Sequence, residues 1–161
     1  MADWSNFFLG ELGAAAALAG LLFVAVSVNQ ARILALGRMA DRGLEALAML
    51  FLILIIASFP LIPGQPMRLL GGEILVLAVA TLIALVPLQR AYIRSTVAEH
   101  VRNSRRMVRL NRLAISIIAL SGAVLLWRAD LDGLYLLPCG ILLVFVAVGI
   151  NAWVLLVEIN R

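Results

Sequence analysis

Lysine is missing from this sequence: all thirteen basic residues are arginine. Coding bias toward GC-rich codons accounts for that uniformity, although arginine also grips lipid phosphates through paired N–H bonds, where lysine offers a point charge. A lone cysteine, Cys139, excludes an intrachain disulfide, and its apolar surroundings mark it as a small packing residue. A lone histidine, His100, excludes a haem held by two histidines; lying in a basic loop, it is expected at the surface. The chain also lacks a Gly-rich phosphate loop, an H-E-x-x-H pair, a Cys-x-x-Cys pair and a Ser/His/Asp set that topology would gather. No catalytic residue, metal site or cofactor can be assigned, and the expectation is a protein that is not an enzyme.

Charge is scarce as well. Only 14% of the 161 residues are charged and 64% are apolar, with a mean hydropathy of +1.08. Soluble domains run about half apolar and about a quarter charged. A soluble core of this length cannot hide so much apolar surface, so the solvent must be a bilayer. Residues 1–161 read as one integral membrane domain. The opening MADWSNFF makes a poor signal peptide, because Asp3 stands where a basic region belongs.

What is present is a set of five apolar runs, at 7–28, 44–61, 69–88, 110–127 and 134–156. A crossing helix needs ~20 residues. The fourth run reaches that length only with Asn111 and Arg112, whose long side chain can snorkel to the headgroups. Turn residues separate the runs: Gly37 and Gly43, then Pro60, Pro63, Gly64 and Pro66, then ADLDG from Ala129 to Gly133. Pro87 is expected to kink the third helix near one boundary. The predicted fold is all-α, a five-span bundle.

The arginines set its orientation. Arg32, Arg38, Arg42, seven more in segment 90–112, and Arg161 put eleven of thirteen on one face. Arg68 and Arg128 fall on the other, beside Asp3, Asp130 and Asp132. The positive-inside rule then places the N-terminus outside and the C-terminus inside. Trp4, Trp127 and Tyr135 form the outer aromatic belt, Tyr92 and Trp153 the inner one.

Segment 90–112 is the longest polar stretch. Ile93, Val97, Val101 and Val108 recur at helical spacing among the arginines. The third span continuing as a helix, or an interfacial helix, both fit. Either would bring Arg102, Arg105, Arg106 and Arg109 to anionic headgroups, unless the arginines serve topology alone. Nucleic acid is not an expected partner despite a pI near 10.6, since no aromatic platform accompanies the charge.

Span one is unusually small-sided. Gly13 and Ala17, and Ala16 and Gly20, are four apart. Such pairs let helix backbones approach in lipid, where packing replaces the hydrophobic force. The expectation is a homo-oligomer with span one central, while the bulky MLFLILII of span two faces lipid. A second periodicity aligns Glu11, Ala15, Leu18, Leu22, Ala25 and Asn29, the helix running on through Arg32 to a stop at Gly37. Around a symmetry axis, Glu11, Leu18, Leu22, Ala25 and Asn29 would line a cation pore with an acidic mouth and a leucine gate. Alternatively, Glu11 snorkels or pairs with Arg68 or Arg128, and Asn29 supports packing. Glu73 opens span three at the level of Glu11; Ser116 and Ser121 are expected to bond to their own helix, and Asn151 to hold helices together.

The string GAAAALAGLLFVAVSVNQARIL, with the later LIPGQ, resembles a group of small bacterial multipass membrane proteins over roughly residues 5–66. That resemblance implies a bacterial inner-membrane setting and transfers no site residue. AGLLFVAVSVNQ is also similar to the pore helix of the Orai calcium channels. It departs from them in having five spans instead of four, the opposite direction, and no glutamate at the matching position. Function therefore divides between a channel-like cation pore lined by the first helix and a non-transporting accessory subunit that binds another membrane complex.

Overall fold

The computed structural model describes residues 2–30, 33, 37–95 and 98–159, and the side chains of 4–30, 33, 40–91, 93–94 and 101–153. Arg32, Val97 and Arg161, and the side chains of Arg38, Tyr92 and His100, lie outside what is described. Five helices follow in order: α1 Ala2–Val28, α2 Gly37–Ser58, α3 Met67–Ser95, α4 Ala98–Arg128 and α5 Leu136–Ile159. No strand occurs among the described residues. Built on these helices, two of them with the adjoining 3₁₀ turn, are five stretches long and apolar enough to cross a membrane: Trp4–Val28, Ala40–Leu61, Met67–Ala91, Val101–Arg128 and Leu131–Trp153. The shortest helix, α2, has 22 residues. At ~1.5 Å per residue it still exceeds a ~30 Å hydrocarbon core. The chain is a multi-pass membrane protein.

The boundaries follow local chemistry. Asn29 Nδ2 donates to the Ala25 carbonyl at 2.9 Å, satisfying one of the orphan acceptors at the end of α1. α1 is bounded at Val28, and the expected continuation through Arg32 to Gly37 falls on residues 31, 32 and 34–36, outside those described; Gly37 opens α2, and Gly43 lies inside α2 facing Val26. Between α2 and α3, Pro60 sits in a short 3₁₀ turn, Phe59–Leu61, and Gly64 takes φ 71°. Before α5, Ala129 adopts φ 55° and its amide closes α4 on the Leu125 carbonyl. Asp130 then caps a second 3₁₀ turn, Leu131–Tyr135, by accepting from the Asp132 amide at 3.1 Å. Arg128 pairs with Asp130 and Asp132 at 3.8 and 3.5 Å, so the acidic turn engages it in preference to Glu11. Helix α3 continues beyond Pro87 to Ser95, and α4 begins at Ala98. The arginine segment is therefore the extension of two transmembrane helices.

The packing reverses one expectation. α2 touches α1, α3 and α5, and half of its span is buried within the chain, against 17% for α1. Met49, Leu50, Leu52, Ile53 and Ile56 form the centre of the core, and only Phe51 and Ile55 of that run are exposed. The reason is dispersion: large side chains fill inter-helix space, and a helix packed against three others has much use for them. α1 lies at the edge. It buries Phe8, Ala15, Ala19 and Leu22 in a single seam spaced seven, four and three residues apart.

The tightest crossing is between α3 and α4. A Cβ at Gly71 would lie 2.8 Å from the Gly122 carbonyl oxygen, and one at Gly122 would lie 2.6 Å from the Leu75 amide nitrogen. No side chain fits there. Ser121, beside this crossing, donates to the Gly133 carbonyl at 2.7 Å and so ties α4 to the turn before α5 instead of to its own helix. At the same end, Trp4 meets Tyr135 edge-on at 5.1 Å, joining the start of α1 to the approach of α5.

Candidate functional site

The polar side chains gather at the opposite end, where α2 begins, α3 ends and α4 enters the bundle. Glu45, Gln89 and Asn111 are each 1% exposed or less. Gln89 Nε2 donates to Glu45 Oε1 at 2.6 Å, and Asn111 Nδ2 donates to the same oxygen at 2.8 Å. Arg112 Nε donates to Gln89 Oε1 at 2.7 Å. One carboxylate thus joins three helices, and the amide between it and Arg112 can point only one way. Its nitrogen faces the carboxylate and its oxygen faces the guanidinium. Buried charge-assisted hydrogen bonds of this kind fix geometry, because leaving any member unpaired is costly. Asn111 Oδ1 is buried without a hydrogen-bond partner.

Arg112 also borders a cavity of about 660 Å³, together with Arg102, Arg105, Arg109, Ile93, Val101 and Val108. The arginines follow one another on α4 at intervals of three, four and three, so they share one face of the helix. Arg102, Arg105 and Arg109 are exposed and Arg112 is half-buried. Four guanidinium groups around one cavity repel one another, and an anion relieves that repulsion. Arginine forks match phosphate and carboxylate oxygens in pairs. The three aliphatic residues on the wall suit an apolar neighbour of the same ligand. Such an arrangement can hold an anion that carries an apolar neighbour.

Of the headgroup residues expected from the sequence, Arg102, Arg105 and Arg109 line the cavity, while Arg106 is exposed and does not. Arg112 was expected to snorkel; its Nε is instead bound to Gln89. Glu45, Gln89 and Ser104 are buried polar residues that the sequence reading passed over. A signal existed. Glu45 begins the second run, Gln89 follows the third and Asn111 begins the fourth, so alternating crossings place all three at one level.

The first-helix residues are less convergent. Ala15 and Leu22 of the proposed pore face are buried against the rest of the chain, at 0% and 7% exposure, while Leu18 is 39% exposed. Glu11, Ala25 and Asn29 are half-buried. Gly13, Ala16, Ala17 and Gly20 are exposed, and a Cβ at Gly13 or Gly20 would meet nothing within 4 Å. They are not packing positions within the chain. At the opposite end, Gln65 Nε2 donates to Glu73, so that carboxylate is engaged by the turn before its own helix. Compared with protein-family models, with curated proteins and with solved structures, the chain matches none.

Proposed function

We propose that this chain is a non-transporting, multi-pass membrane protein that holds phosphate-bearing lipid headgroups at its arginine-rich end and serves as an accessory subunit in the membrane. The carrying observation is the convergence of Arg102, Arg105, Arg109 and Arg112 on one cavity, with Arg112 held in place through Gln89. The positive-inside rule makes this end cytoplasmic, where anionic lipid is the available counter-charge. The sequence resemblance implies a bacterial inner membrane as the setting of this reading. Self-association belongs to the same reading, with a second copy meeting the open small-residue face of α1.

The pore reading draws less support from these positions. A gate needs Leu18 and Leu22 on the surface that surrounds the axis, and Leu22 is turned into its own chain. Asn29 directs its amide to its own helix.

The test is thermal unfolding in nanodiscs. Protein in phosphatidylcholine should gain stability when phosphatidylglycerol is included, by about 1 kcal/mol per engaged arginine, and salt should erode the gain. Equal stability in both lipids would refute headgroup binding.

A further inference from the structure

We infer that the arginine cavity takes a lipid whose headgroup is two linked phosphates, a polyprenyl-diphosphate-like amphiphile; this rests on the headgroup reading above and narrows it to a ligand class. The argument begins with counting acceptors. A terminal phosphate offers three strong acceptor oxygens. Each guanidinium fork makes two N–H···O bonds when it binds bidentately, so Arg102, Arg105, Arg109 and Arg112 together favour the headgroup with the most free oxygens. A phosphodiester headgroup offers fewer still. Two linked phosphates offer more free oxygens than either and set more negative charge against the four arginines.

Their arrangement follows from the helix. Arg102 and Arg112 are ten residues apart, which is ~15 Å along the axis. α4 crosses the membrane, so that distance runs mainly along the bilayer normal and not within its plane. The phosphates of cardiolipin sit side by side in the membrane plane, each under its own pair of tails. Those of a diphosphate lipid follow one another away from the tail, along the arginine row. Arg112 lies near the start of the apolar run 110–127 and Arg102 eight residues before that run on the same helix, so the row leads from the bilayer boundary outward. Ile93, Val101 and Val108 line the same cavity beside the arginine row, and the lipid chain would leave it past Arg112. Gln89 holds the guanidinium expected to meet the inner phosphate, and Glu45 holds Gln89. Charge and direction fit one occupant.

Binding to the full-length protein in phosphatidylcholine nanodiscs tests this, with geranylgeranyl diphosphate, geranylgeranyl monophosphate, cardiolipin, phosphatidylglycerol and inorganic pyrophosphate as probes. The diphosphate amphiphile should bind about tenfold or more tightly than each of the others, the worth of an added charge-assisted contact. Arg102→Gln, an exposed substitution that leaves the buried network intact, should bring the diphosphate down toward the monophosphate. Arg112→Gln should do the same, and Arg106→Gln should not. Equal binding of cardiolipin or phosphatidylglycerol would overturn the inference while leaving headgroup binding in place. Pyrophosphate binding as tightly as the amphiphile would overturn the lipid assignment. Failure of every anionic amphiphile to bind would remove both readings together.

Discussion

Two parts of this molecule are rich in small residues, and they behave in opposite ways. On α1, Gly10, Gly13 and Gly20 face open space, with nothing within 4 Å of where a Cβ would stand. At the α3–α4 crossing, Gly71 and Gly122 face each other's backbone, and a Cβ at either would clash with main-chain atoms. Gly133 and Gly140 similarly admit Leu125 and Ile118. A small residue permits close approach but does not bring a partner. Within the chain, the partner is supplied at α3–α4 by pairing along two long helices, and at the α1 glycines by nothing. Density of glycine and alanine is therefore a poor guide to where the bundle is tightest.

The comparison breaks most visibly at Gly122. Gly122→Leu should prevent α3 and α4 from meeting and abolish a folded, monodisperse product. Overpacking costs about 1–3 kcal/mol where side chains can yield, and here the obstacle is backbone. Gly13→Leu should leave the unfolding temperature of the monomer nearly unchanged. If the two substitutions cost the same, the contrast fails.

Next in size is the buried carboxylate. Glu45→Ala should destabilise by about 2 kcal/mol, because Gln89 and Asn111 lose a charged acceptor in a buried layer. Glu45→Gln, which keeps one acceptor oxygen and the shape, should cost less. Chemical unfolding of the three proteins in one detergent checks the order. An alanine variant as stable as the parent would show that the network does not join the helices.

Leu22→Ser separates seam from gate. Leu22 is buried between α1 and its neighbours. Truncation there should lower stability by about 2 kcal/mol and produce no ion leak in reconstituted vesicles. A cation-selective conductance from a correctly assembled variant would restore the pore reading. The smallest effect belongs to the open face: Gly20→Leu should reduce native mass in mild detergent if a second copy packs there, without altering the folded chain. An unchanged mass would move self-association away from α1.

The five crossings were legible because apolar runs and turn residues are local signals. Pairing was not. MLFLILII carries the same letters whether it faces lipid or a core, since both are apolar, and only the contacts of α2 show that it is central. The arginine row was legible in part. Arg102, Arg105 and Arg109 stood out by charge, but Arg106 is equally charged and points elsewhere. Arg112 was obscured because a boundary arginine usually snorkels, and its partner Gln89 is 23 residues away in sequence. Glu45 was hidden among leucine and alanine, its role visible only when three spans are aligned at one level.

Arg105 and Arg106 provide the sharpest test of the headgroup account, being adjacent, equally charged and both exposed, with only Arg105 on the cavity. Arg105→Gln and Arg106→Gln change net charge identically. The measurement is the gain in unfolding temperature when phosphatidylglycerol is added to phosphatidylcholine nanodiscs, taken for both variants and the parent at one salt concentration. A built site predicts that Arg105→Gln loses a clear share of the gain and Arg106→Gln keeps it. Equal losses from the two would mean that the basic end attracts lipid by charge alone, and the cavity would have no part in it.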